Sequence, residues 1–163
     1  MVPIYDMYIS DQKTPYLKDI GSVCAAEDLD ISSTSQMAEL ARNVFSADQL
    51  AEERIWMASF GPGSRNTPVG LFEVTRGTPN TCIVRIAQIM RRALLSGANA
   101  IALIHNHPSG YIEPSNDDFE ITGRIKNACD LLGINFLDHL IIGREENYYS
   151  FAEHNQILEE KQE

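Results

Sequence analysis

The stretch Ile101-Ala-Leu-Ile-His-Asn-His-Pro-Ser-Gly-Tyr-Ile-Glu-Pro-Ser-Asn-Asp-Asp118 organises the interpretation of the whole chain. It begins with a short, partly β-branched apolar run, which predicts a buried strand. His105 and His107 follow two residues apart, so both imidazoles should project from the same side of that strand. Pro108-Ser-Gly110 then predicts a turn that ends the strand.

A second polar group, Ser115-Asn-Asp-Asp118, opens a segment of helical period. On a structural interpretation, Ser115 is an N-cap and Asp118 is the acidic partner of a capping box. On a functional interpretation, two imidazoles and a carboxylate form a His2Asp set, and three protein ligands with one open position are typical of catalytic zinc. The two interpretations are compatible, because a capping position holds the carboxylate still and a metal ligand must be held still.

These residues carry a resemblance to a known family. The spacing from His105 to Asp118 matches HxHPx6SxxD, the JAMM motif of the JAB/MPN metalloprotease superfamily, and His-Asn-His-Pro-Ser-Gly resembles its RadC branch. Leu137-Asp-His-Leu-Ile-Ile-Gly143 and Tyr149-Ser-Phe151 are similar to the closing strands of RadC-like domains. The resemblance covers about residues 34–152 and implies an α/β, JAB/MPN-like (cytidine-deaminase-like) fold, in which helices flank a mixed β-sheet.

The resemblance also implies a chemistry, which is hydrolysis of an amide bond in an unknown protein or peptide substrate by a zinc metallopeptidase. It implies that Zn²⁺ is bound by His105, His107 and Asp118, and that Ser115 donates to the tetrahedral oxyanion.

In this family the general base is a Glu that lies N-terminal to the histidines, near the start of a strand. Glu52 and Glu53 are both candidates. RadC-like sequences place this Glu two residues before the first bulky apolar position, and Glu53 has that relation to Ile55. We therefore prefer Glu53, while a solvent-facing charge at a strand end is the alternative for either residue.

His139 follows Asp138 inside an apolar strand, where a polar pair needs partners. It is either a residue that contacts the metal ligands or a core histidine bonded to backbone, and we favour the second interpretation. Two further functions compete with the hydrolase. The string His-Asn-His resembles HNH nucleases, although those spread their residues over a ββα unit, and many MPN domains are non-catalytic interaction scaffolds that usually lack the ligand set.

Composition restricts the remaining classes. The 163 residues predict one main domain, and the net charge of −10 with a pI near 4.8 argues against non-specific binding to nucleic acid. It gives no support to the association of the RadC family with DNA repair. We find neither a signal peptide nor an apolar run of the roughly 20 residues needed for a membrane span. Three cysteines without CxxC spacing indicate reduced thiols and a cytoplasmic protein.

Along the chain, residues 1–33 form a leader that resembles that of short RadC-like proteins from mobile elements, and that leaves no room for the helix-hairpin-helix region of longer ones. Residues 153–163 form a charged tail, helical or frayed. In the leader we predict an edge strand at Tyr5–Ile9 and a loop at Lys13–Lys18. Elsewhere the periodicity predicts helices over residues 33–46, 83–96 and from 118 to 133, and strands over 55–60, 69–75, 134–142 and 150–152. In the second helix, Arg85, Arg91 and Arg92 are expected on the solvated face.

Overall fold

The computed structural model describes residues 1–10, 12–23, 31, 33–63, 67–78 and 83–157. Two of the three cysteines, Cys24 and Cys82, part of the segment between the predicted strands 55–60 and 69–75, and the last six residues of the predicted tail lie outside these ranges. The strands are β1 (Val2–Ile9), β2 (Pro15–Val23), β3 (Arg54–Phe60), β4 (Gly70–Arg76), β5 (Ala100–Asn106), β6 (Asn135–Ile142) and β7 (Tyr148–Ser150). The helices are α1 (Thr34–Phe45), α2 (Ile86–Leu95) and α3 (Asn116–Leu132).

The seven strands of the described residues form one mixed sheet in the order β2-β1-β4-β3-β5-β6-β7. Strands β3 and β4 form an antiparallel hairpin, and β3 is also antiparallel to β5. Strands β5 and β6 are parallel, so the chain must cross over between them, and α3 makes that crossover. The predicted α/β fold with helices flanking a mixed sheet is confirmed.

The sheet has a hydrophobic core on each face. Helix α1 covers one face, where Met37 and Leu40 pack with Trp56 and Ile104. Helices α2 and α3 cover the other, where Ile89 and Ile125 share a core with residues that include Ile55, Met57, Ile101 and Leu103. Since successive side chains of a strand point to opposite faces, the odd-numbered residues of β3 and β5 face α2 and α3.

The predicted helix caps and the turn after β5 form as expected. Ser33 caps α1 in a capping box with Gln36, and Ser115 caps α3 in a capping box with Asp118. Gly133 ends α3 in the left-handed conformation, with φ of 69°. The turn after β5 contains Gly110 at φ of +82°, where a Cβ would lie 2.9 Å from the aliphatic stem of Arg144. That backbone conformation and that contact both favour glycine at this position.

Two predictions for the N-terminal region are wrong. Strand β1 is not an edge strand, because it pairs with β2 on one side and with β4 on the other. The predicted loop at Lys13–Lys18 contributes its last four residues to β2, which is the edge strand. Tyr16, Lys18 and Ile20 have partly or largely exposed side chains, so β2 shows no clear alternation of apolar and polar residues that would predict a strand. Pro15 also suggests a loop, but a proline is tolerated at the start of an edge strand.

Two predictions for α2 are wrong, and the packing of the β1–β2 hairpin explains the second. The helix begins at Ile86, three residues later than predicted, and Ile83 is 73% exposed. Arg85 and Arg91 are exposed as expected, but Arg92 is buried with 7% exposure. Its guanidinium lies 3.9 Å from the carboxylate of Asp6 in β1. Burial lowers the pKa of Arg92, and Asp6 acts in the opposite direction. The β1–β2 hairpin therefore covers a face of α2 that the sequence pattern assigns to solvent.

The end of the described chain closes the sheet. Strand β7 begins two residues earlier than predicted and pairs with β6, and residues 151–155 form turns rather than a helix.

Among the described residues, no helix has both the length and the apolar composition that a membrane crossing requires.

Candidate metal centre

Strand β5 brings His105 to the face of the sheet that α3 covers. His105 is 2% exposed and continues the odd-numbered series of Ile101 and Leu103. His107 follows directly after the end of the strand, and its ring lies edge-on to that of His105 with centroids 4.7 Å apart. The predicted projection of both imidazoles to one side is confirmed.

The first turn of α3 brings the carboxylate. Asp118 is 5% exposed, and its Oδ2 accepts hydrogen bonds from the backbone N–H of Ser115 at 2.8 Å and from the Ser115 hydroxyl at 2.6 Å. The capping box that begins the helix thus also fixes the acid, as the sequence predicts. A carboxylate at this end of a helix is further stabilised by the helix dipole.

The hydrogen bonds of the two histidines determine which nitrogens face Asp118. Nδ1 of His107 donates to the carbonyl of Tyr111 at 2.9 Å, and Nε2 of His105 donates to Oε1 of Glu53 at 2.9 Å. In the neutral rings, the lone pairs are therefore at Nε2 of His107 and Nδ1 of His105. Nε2 of His107 lies 3.5 Å from Oδ2 of Asp118, and Nδ1 of His105 lies 3.1 Å from Oδ1.

This donor set fits a metal ion. One ligand atom from each of His105, His107 and Asp118 lies within 4.8 Å of the others. Nδ1 of His105 is buried and makes no hydrogen bond with any described residue, despite its short distance to Asp118. Two electron-rich atoms that face each other without a shared proton are stabilised by a cation between them. Hydrogen bonds from the outer nitrogens are the usual way in which metal-binding histidines are oriented.

The two candidate bases have different environments. Glu53 shares odd parity with Ile55, and its backbone remains paired with Gly77 and Thr78 beyond the end of β4, so its side chain points to the α3 side of the sheet. Its carboxylate is 16% exposed and bonds to His105. Glu52 points elsewhere, is 46% exposed, and pairs with Arg54 and Arg76 at 3.3 and 3.9 Å.

An open cavity of about 810 Å³ contains this centre, within the size range of ligand sites. The polar groups of the centre and the side chains of Ile55, Val84, Ile121 and Pro108 line it together. Asp117, Glu120 and Arg124 from the exposed side of α3 complete the wall. The cavity therefore offers apolar surface beside a group of titratable side chains.

The charges of the centre are strongly coupled. Burial disfavours the charged form of His105, but the carboxylates of Asp118 and Glu53 outweigh it and raise the pKa of His105. Burial would likewise raise the pKa of Asp118, yet His105 and His107, with Ser115, hold that pKa well below its usual value. A proton on Nδ1 of His105 and a cation between His105 and Asp118 would occupy the same place, so protons and a metal ion compete at this centre.

His139 is a buried core histidine, but among the described residues its ring bonds to a side chain rather than to backbone, and it contacts the candidate ligand His105. Nδ1 of His139 lies 2.7 Å from the hydroxyl of Thr122, and the ring is stacked with that of His105 at a centroid distance of 5.8 Å. The sequence interpretation missed Thr122 and the carbonyl of Tyr111. Thr122 lies one helical turn after Asp118 and so on the same face of α3, which is a signal that could have found it.

Comparison with known families agrees with this geometry. A family model described as the RadC-like JAB domain matches residues 31–156. The chain belongs to the RadC-like JAB domain family. The resemblance that the HxHP motif carries is thereby confirmed.

Several relatives in this family are named UPF0758 protein. One from Streptococcus agalactiae serotype Ia is 33% identical in an alignment of 166 positions that covers 92% of this chain and 72% of the relative. One from Chlorobium phaeovibrioides is 46% identical over 85 residues, or 52% of this chain and 38% of the relative. One from Rubrobacter xylanophilus is 36% identical over 94 residues, or 58% and 40%. The chain thus matches about two fifths of the length of the last two relatives. Their shared name states no activity, so the chemistry must be argued from the site.

Proposed function

We propose that this RadC-like domain is a zinc-dependent hydrolase that cleaves an amide bond in a protein or peptide. The observation that carries the proposal is the convergence of His105, His107 and Asp118, with Glu53 bonded to His105 at the wall of the same cavity. Three protein ligands leave one position of a tetrahedral zinc ion for a small molecule, which is typical of catalytic rather than structural zinc.

The residues have separate roles in this proposal. His105, His107 and Asp118 would hold the ion, which when bound supplies a Lewis acid that lowers the pKa of water and polarises a carbonyl. Glu53 would take a proton from the attacking water and later give it to the leaving nitrogen, acting first as base and then as acid. Glu53 lines the same cavity, but its carboxylate is bonded to the His105 nitrogen that faces away from Asp118, so this bond would have to break before Glu53 reaches the attacking water. Ile55, Val84 and Ile121 would contact the substrate chain.

Ser115 has a more restricted role than the family motif implies. Its hydroxyl donates to Oδ2 of Asp118 at 2.6 Å. The same proton cannot serve an oxyanion at the same time, so donation to the substrate would require this bond to break. We propose that Ser115 holds Asp118 first, and that it donates to the oxyanion only when substrate displaces the capping bond.

Metal content tests the binding part of the proposal. Wild-type protein incubated with Zn²⁺ and desalted should retain one equivalent, measured by inductively coupled plasma mass spectrometry. His105→Ala should lose it, whereas His154→Ala should not, because the His154 ring stacks on Tyr149 outside the centre. Iron, manganese and nickel are measured in parallel, since two histidines and one carboxylate also suit Fe(II). A wild-type protein that retains no zinc would contradict the proposal, and retention of another of these metals instead would assign the centre to that metal.

Glu53→Gln tests the catalytic part. We expect unchanged zinc content and a kcat lower by about 10²–10⁴-fold, because the amide cannot accept the water proton. The readout is cleavage of a mixture of peptides and isopeptide-linked peptides by zinc-loaded protein, followed by mass spectrometry. Glu52→Gln is the matched control and should keep wild-type turnover, since the Glu52 carboxylate is 46% exposed and pairs with Arg54 and Arg76 rather than with His105.

The same preparations test the competing functions. A scaffold would hold little zinc and cleave nothing, and its partner binding would survive Asp118→Asn. A nuclease would cleave DNA in a reaction that His107→Ala abolishes. Equal peptide cleavage by wild type and Glu53→Gln would exclude Glu53 as the base while leaving the metal centre in place.

A further inference from the structure

We infer that Thr122 and His139 are positioning residues for the metal centre, in which the Thr122 hydroxyl ties the backbone of Asp118 to the His139 ring and that ring holds the plane of His105. The inference rests on the proposed metal site and deepens it. It concerns two groups that touch the ligands but lie outside the donor set itself.

The contacts form a continuous buried chain. The Thr122 hydroxyl donates to the carbonyl of Asp118 at 2.6 Å, and the same oxygen lies 2.7 Å from Nδ1 of His139. A threonine bond to the carbonyl four residues earlier is common in helices. The second contact is unusual because it joins α3 to β6 at the level of the centre, and because Thr122 and His139 are 2% and 0% exposed.

These contacts select one tautomer of His139. A carbonyl only accepts, so the single hydroxyl proton of Thr122 goes to Asp118, and the Thr122 oxygen then accepts from Nδ1–H of His139. The lone pair of His139 is consequently at Nε2. That atom is buried and has no hydrogen-bond partner in the part of the chain that the structure describes, which agrees with a ring held by Nδ1 and by stacking rather than by two hydrogen bonds.

The ring of His139 is fixed from its other side as well. It lies between His105, at a centroid distance of 5.8 Å and 15° between planes, and Phe151, at 5.1 Å and 10°. Asp138 anchors the backbone at this point, because its Oδ1 accepts from the N–H of His139 at 2.7 Å and from that of Ala152 at 3.0 Å. The His139 ring is therefore held by β6 and by the segment after β7, and through its stacking it restrains the orientation of the His105 ring on β5.

The test is zinc affinity, measured by competition with a chromophoric chelator at fixed pH. Thr122→Val keeps the side-chain shape and removes both hydrogen bonds, and we expect the Kd for Zn²⁺ to rise about 10–100-fold, as is typical when an outer partner of a ligand is lost. Thr122→Ser should restore near wild-type affinity because it keeps the hydroxyl. Ile125→Val is the matched control on the same helix, which should lower stability in denaturant without changing the Kd.

The outcomes separate this inference from the proposed function. A wild-type protein that binds no zinc overturns both. A wild-type protein that binds zinc, with Thr122→Val binding equally well, overturns the inference alone, as does an equal loss of affinity in Ile125→Val. Nitrogen NMR of the wild-type His139 ring needs no variant: protonation at Nδ1 and a bare Nε2 support the chain of bonds, and protonation at Nε2 contradicts it.

Discussion

Asp118 and Asp138 are equally buried, at 5% exposure each, but their partners differ in kind. Both accept a serine hydroxyl on Oδ2 at 2.6 Å, Asp118 from Ser115 and Asp138 from Ser150. The remaining bonds of Asp138 come from backbone N–H groups. Asp118 instead has its Oδ1 directed at a ring nitrogen of His105 and borders an open cavity.

The pKa values of the two acids shift in opposite directions. Burial raises the pKa of Asp138, and the bonds from Ser150 and the backbone offset this only in part. Burial acts on Asp118 in the same sense, but His105 and His107 reverse the result. A buried acid with neutral donors serves as a cross-link between segments, whereas a buried acid that faces titratable nitrogens is suited to share a cation with them.

The largest expected difference between the two acids concerns metal binding. Asp118→Asn should abolish stoichiometric zinc retention, because a neutral amide replaces the anionic ligand. Asp138→Asn should retain zinc, because the amide oxygen can still accept from the two backbone N–H groups while its NH2 donates to Ser150. Zinc content and Kd in the two variants, with folding checked by circular dichroism, make the comparison. Loss of zinc in both variants would show that Asp138 is also required for the centre.

Much of this centre could be predicted from sequence because short-range patterns determine the positions of its side chains. The side of the sheet that His105 occupies follows from the two-residue period of β5, and the position of Asp118 follows from the capping pattern that begins at Ser115. The preference for Glu53 over Glu52 comes from the family resemblance, and in the structure its spacing of two residues from Ile55 gives both side chains the same parity. In each case a residue type and a fixed spacing determine where the side chain points.

The features that sequence reasoning missed depend on contacts between distant segments. Arg92 has the spacing of an exposed residue, and only the packing of the β1–β2 hairpin on α2 buries it. The bond between Thr122 and His139 joins residues 17 apart in sequence through the crossover from α3 to β6. Periodicity gives the face of each element, but the register between elements decides which polar groups on those faces meet.

Removing the serine donor of each acid, Ser115 for Asp118 and Ser150 for Asp138, should give a smaller difference in zinc binding than replacing the acids. Ser115→Ala removes the N-cap of α3, at a cost of about 0.5–2 kcal/mol in the free energy of unfolding, and should also weaken zinc binding because Asp118 loses a donor. Ser150→Ala leaves Oδ2 of Asp138 without its hydroxyl, at a cost of about 1–3 kcal/mol, and should leave the Kd for zinc unchanged. Denaturant unfolding and chelator competition on both variants provide the measurements. Equal changes in Kd would remove the distinction between the two acids.

The smallest expected effect is the contribution of Asp138 to the pH dependence of the free energy of unfolding, measured in metal-free protein with chelator present. The raised pKa of Asp138 means that the folded state holds this proton at pH values where the unfolded chain, with an ordinary pKa of about 3.9, has lost it. Both states are protonated below that value, so the group then adds no pH dependence to the free energy of unfolding. As pH rises through the interval up to the folded pKa, ionisation favours the unfolded chain.

The stability of wild type relative to Asp138→Asn should therefore fall as pH rises from about 3 and become constant above the folded pKa. Denaturant unfolding of both proteins across this range measures the difference, in which the other titrating groups cancel because both chains contain them. A relative stability that instead grows with pH would mean that the folded protein stabilises Asp138 as an anion. Asp138 would then resemble Asp118, and the contrast between a cross-linking acid and a cation-binding acid would not hold.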